Sequence, residues 1–111
     1  MSIYKPDHWV VVELVDSNEV KHQKVFAGWG GSYTYGEAWK MNSGIIKVDD
    51  SGDALSFHGQ SGSVYQCRKD LYGMSSYMQS VFQSFEKQAL IESLVIKVLE
   101  KNQVINLMVV N

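Results

Sequence analysis

Tyr77, Met78, Val81, Phe82 and Phe85 recur at helical spacing, after a chain that until then reads almost entirely as strands and turns. A helix with one apolar stripe has to bury it, and the strands before it supply the surface. The pattern therefore predicts an α+β domain: a mainly antiparallel sheet of about seven strands with one packed amphipathic helix. Ser76 with Gln79 has the spacing of a capping box and puts the helix start near Ser76. Gly73 just before it lets the chain change direction.

The strands are marked by β-branched runs between turn residues. His8–Val15 carries Val10, Val11, Val12 and Val15. Asp16-Ser17-Asn18-Glu19 reads as a turn, because these side chains bond their own backbone there. Val20–Ala27 returns with Val20, His22, Lys24 and Phe26 on one face and Gln23, Val25 and Ala27 on the other. Gly28–Ala38 breaks the pattern with four glycines, two tyrosines and a tryptophan. Trp39–Val48 resumes as a strand, Asp49–Asp53 forms a polar hairpin loop, and Ala54–His58 pairs back. Ser63–Arg68 is the fifth strand, reached through the flexible Gly59–Ser63 stretch.

Residues 90–111 admit two readings. Leu90, Ile91, Leu94, Val95, Val98 and Leu99 fit a helical face, but one rotated away from the Tyr77–Phe85 stripe. A hairpin pairing Leu94–Glu100 with Gln103–Val109 across Lys101-Asn102 accounts for them better. Its mixed face, with Val95, Leu99, Val104 and Met108, leaves apolar area open, so the hairpin is the expected surface for a homodimer.

With 111 residues and no linker or internal repeat, positions 1–111 are read as a single globular domain. The formal net charge of −2, with acids and bases interspersed, argues against nucleic acid as a partner. Lys21, Lys24, Arg68 and Lys69 are the only basic-patch candidates. The single cysteine calls for no oxidising compartment. The N-terminal residues lack the apolar core of a signal peptide, and no apolar run has the length needed to cross a bilayer. A cytoplasmic location and no membrane partner are the expectation.

Chemistry is sparsely signalled. Cys67 as a nucleophile would need His58 or His22 as its base, while a free cysteine on a strand is ordinarily a packed side chain. His8, His22, His58 and Cys67 show no metal-ligand spacing, so no metal is expected. The Asp49–Asp53 loop has Ala54 where a calcium loop needs glycine and Gln60 where it needs glutamate. Neither Gly28-Trp29-Gly30-Gly31 nor Gly59–Ser63 ends as a phosphate loop does, and no cofactor is expected. The aromatic segment is the better candidate. Trp29, Tyr33, Tyr35 and Trp39, spaced by glycines, would make a recognition platform if exposed, or cap one end of the sheet if folded inward. Ser61, Ser63, Arg68 and Tyr72 are the candidate rim.

The runs Trp39-Lys40-Met41-Asn42-Ser43-Gly44-Ile45, Ser61-Gly62-Ser63-Val64-Tyr65-Gln66-Cys67 and Tyr72-Gly73-Met74-Ser75-Ser76-Tyr77 resemble uncharacterised short bacterial proteins carried on integron gene cassettes and related mobile elements. That resemblance covers about the middle third of the chain. It implies a bacterial cytoplasmic protein with an accessory or adaptive role, and transfers no catalytic residue. Three functions are compatible with these residues. The first is a binding or interaction module, for an unknown protein or small molecule, acting through Gly28–Trp39. The second is a small cysteine-dependent enzyme, and the third an inhibitor or immunity-type protein acting on a larger enzyme.

Overall fold

Trp9-Val10-Val11-Val12 is apolar at consecutive positions, so a strand made of it must be covered on both faces. A computed structural model of the chain describes residues 2–32 and 36–104. Its elements run β1 (Ile3–Tyr4), β2 (His8–Val15), β3 (Lys21–Ser32), β4 (Gly36–Met41), β5 (Ile45–Asp50), β6 (Ala54–Gly59), β7 (Val64–Arg68), α1 (Ser76–Ile91) and β8 (Val95–Val98). One sheet has the order β1-β7-β6-β5 and the other β4-β3-β2-β8. Every pairing is antiparallel except that of β1 with β7. The fold class is α+β, as the residue pattern predicts.

The two faces of β2 enter different cores. Trp9 and Val11, with Val25 and Ala27 of β3, meet Leu55, Phe57, Tyr65 and Cys67 from the other sheet. Val10, Val12 and Phe26 face the opposite way and receive Met78 and Phe82 of the helix. The layers are thus sheet, sheet, helix, and the stripe from Met78 to Phe85 packs where its spacing says it should.

Four local readings need correction. Gly28–Ala38 is not a break: β3 runs through it to Ser32 and β4 begins at Gly36, so the segment is a hairpin. Gly28 relieves crowding. A Cβ on Gly28 would stand 2.5 Å from the Met78 sulfur. Trp39–Val48 is two strands in different sheets, because Asn42 leaves the pairing and Gly44 turns the chain at φ +139°. The helix cap is Ser75, not Ser76: its Oγ accepts the Met78 N–H at 3.2 Å, while the Gln79 side chain donates to Met74 O. Helix α1 closes when Ser93 adopts φ +59° and Leu94 N–H bonds back to Ala89 O.

The fourth correction concerns the C-terminal hairpin. Its first arm is a strand, but β8 pairs antiparallel with β2. Lys101-Asn102 is no hairpin turn, because residues 101–104 are helical. Gln103 Oε1 accepts the Glu100 N–H at 2.8 Å, the backward arm of a capping box, and that starts a helical turn. Val104 is then buried between the sheets. Ile105–Val109 lie outside the described residues. Among the described residues no helix is long and apolar enough to cross a membrane.

Candidate functional site

The two sheets leave β1 and β4 as edges, and packing brings these edges together. Tyr4 of β1 meets Trp29 of β3 edge-on, ring centroids 6.2 Å apart, and leans on Tyr65 at 5.1 Å. Trp29 Nε1–H donates to Lys5 O at 3.0 Å. One residue on, the Gly30 N–H donates to the Asp7 carboxylate at 2.7 Å, while the Asp7 N–H donates to Gly28 O. These bonds fasten the N-terminal strand across the end of β3.

Between the edges lies an open groove of about 530 Å³, floored by Tyr4, Trp29 and Ala38 and flanked by Ile3, Lys5, Trp39 and Lys40. Lys40 holds its ammonium 5.2 Å from the centre of the Tyr4 ring, a cation–π contact. Among the described lining residues no side chain is acidic. Among the described residues neither Lys5 nor Lys40 joins an ion pair, whereas Lys21 is paired with Glu13, Arg68 with Asp70 and Lys69 with Asp50. Trp39 lies on the helix side of β4, against Phe26 at 5.8 Å and Phe85 at 5.1 Å, and keeps 38% of its surface exposed.

Of the residues singled out by sequence, Trp29 and Trp39 reach this groove. Tyr33 and Tyr35 lie outside the described residues. Ser61 and Ser63 belong to the turn between β6 and β7. There the Ser61 N–H donates to Ser43 Oγ and Ser63 O accepts from Gly59, and neither lines the groove. Arg68 sits at the other end of β7 in a two-bond pair with Asp70, whose carboxyl the guanidinium holds below the usual range. The Tyr72 hydroxyl accepts from Val11 N–H and donates to Leu99 O, which splices it into the end of the β2–β8 pairing. Desolvation pushes its pKa up. Tyr4, Lys5 and Lys40 are the groove residues that sequence reasoning missed. The adjacency of Trp39 and Lys40 was visible, but nothing in a two-residue strand announces parallel pairing with β7.

Cys67 is fully buried between the sheets, its thiol pushed far up by desolvation. His58 lies on the outer face of its strand, bonded to Asp49 at 2.8 Å. The sheet itself separates the two. Native protein is expected to resist iodoacetamide at about pH 8, with labelling appearing only on unfolding. Native labelling as fast as that in urea would overturn the burial. The Asp49–Asp53 segment ends β5 in a turn, with Asp50 accepting from Gly52 N–H and pairing with Lys69. Among the described residues no three His, Cys, Asp or Glu side chains cluster as a metal site would need.

Compared with protein-family models, with curated proteins and with solved structures, the chain matches none of them.

Proposed function

We propose that this chain is a small binding module whose ligand is anionic and is held in the groove between β1 and β4. One observation carries the reading: Tyr4 and Trp29 present rings in a groove whose charged lining residues, among the described ones, are two lysines. Aromatic faces give large contact area at low entropy cost. Two lysines that join no ion pair among the described residues give the groove's described lining a positive sign, opposite to that of the chain as a whole. As a bacterial cytoplasmic protein with an accessory role, such a module would act by occupying a partner, including by blocking a larger enzyme.

The test compares naphthoate with naphthylmethylamine, an anion and a cation of similar shape, followed by the indole N–H resonances of Trp29 and Trp39. Naphthoate is expected to shift both, and Lys40→Glu to weaken it about tenfold with unchanged thermal stability. Equal response to both compounds, or an unchanged response in Lys40→Glu, would refute the groove.

A second copy of the chain is the other partner with an observation behind it. Leu90, Ile91 and Val95 are 82%, 77% and 61% exposed where α1 ends and β8 begins. Sedimentation giving the mass of one chain at micromolar concentration would remove self-association.

A further inference from the structure

We propose that the groove's ligand is an extended acidic polypeptide that adds as a further strand to the edge of β4, which is outermost in its sheet among the described residues. This rests on the reading of the groove as the binding surface and adds the mode of capture and the class of ligand.

The backbone phase of β4 can be fixed. Asn42 N–H donates to Val25 O at 3.1 Å, in continuation of the register that sets Lys40 opposite Ala27 and Ala38 opposite Trp29. Hydrogen bonding alternates along an antiparallel pair. Ala38 and Lys40 therefore bond toward β3, while Trp39 and Met41 turn N–H and C=O out of the sheet. The far side of the sheet requires the same phase. Leu99 N–H donates to Val11 O, so the odd residues of β2 bond toward β8 and its even residues toward β3. In β3 the odd residues are then left for β4, as Val25 is.

A row of outward backbone groups is a template for another strand. Side chains of an added strand would alternate between two surroundings. One set would lie beside Ala38 and Lys40, above Tyr4 and Lys5; the other beside the exposed flank of Trp39. Charge decides the occupant. Acids at alternate positions complement Lys5 and Lys40, which among the described residues are the charged side chains lining the groove. A second β4 would instead bring another Lys40 to the same edge, which disfavours self-pairing there.

The probe is a capped octapeptide of alternating glutamate and valine. Its binding is expected to protect the Trp39 and Met41 amides from hydrogen exchange and to fall about tenfold in Lys40→Glu. N-methylation of every second peptide amide is expected to abolish binding in one of the two phases, because only one set faces β4. Binding that survives N-methylation in both phases overturns strand addition. So does equal binding of a lysine–valine peptide, or protection of Trp39 and Met41 in a peptide-free dimer. Failure of the octapeptide while naphthoate still shifts the indoles overturns this proposal alone; failure of naphthoate overturns the groove.

Discussion

Trp9→Ala is expected to cost about 3–5 kcal/mol of folding free energy, a large share of what holds a small domain together. Trp9 is 1% exposed and stands between the sheets, its ring 5.4 Å from that of Phe57 and 4.7 Å, edge-on, from that of Tyr72. Its Nε1–H donates to Arg68 O at 2.7 Å, where β7 ends, and its backbone carbonyl accepts the Gly73 N–H. One residue thus ties β2 to the far sheet and to the turn that delivers α1. Removing the indole opens a cavity and leaves the Arg68 carbonyl without its donor. Trp9→Phe keeps a ring against Phe57 and Tyr72 and loses the donor, so its cost should be smaller, about 1–3 kcal/mol. Urea unfolding followed by circular dichroism measures both. A Trp9→Ala midpoint matching that of wild type would show that the sheets are not joined through this side chain.

The same inter-sheet packing gives the groove its rigidity. Tyr4 and Trp29 are partly buried against the core that holds Trp9, so their rings are set by packing before any ligand arrives. Lys5 and Lys40 are the adjustable parts, long side chains on a fixed frame. Preorganised aromatic surface with mobile charges at its margin is a low-entropy way to hold an anionic chain.

Most of the architecture could be read from local pattern. Val10 to Val12 gave β2 its place, the Tyr77–Phe85 spacing gave α1, and Asp49–Asp53 gave a turn. Failures arose where tertiary packing overrode a local signal. Four glycines in Gly28–Ala38 look like a loop, yet Gly28 sits in a strand because Met78 needs the room. Asn42 resembles an ordinary strand residue, but its Oδ1 accepts the Val25 N–H and ends the pairing there. The groove was half legible. Trp29 and Trp39 stood out as aromatics, whereas Tyr4 and Lys5 reach it only through the pairing of Ile3 with Val64 and Tyr4 with Tyr65, residues about sixty apart in sequence.

Met78→Ala is expected to cost about 2–5 kcal/mol, and the size of that cost should depend on Gly28. Met78 is fully buried in the first turn of α1, placed by its N–H bond to the Ser75 cap and packed on Val10, Val12 and Phe26. A Cβ at Gly28 would fall 2.5 Å from its sulfur and 2.7 Å from its Cγ. Gly28→Ala alone should therefore cost about 1–3 kcal/mol by overpacking, since the fully buried thioether has to shift to admit the methyl. With alanine at 78 the sulfur is gone, and the new methyl at 28 fills part of the cavity. The double variant should then be more stable than Met78→Ala alone, reversing the sign of the glycine substitution. A double-mutant cycle in urea reads this directly: strictly additive costs would mean that β3 and α1 do not share this contact, and that the glycine at 28 serves something other than the close approach of the helix.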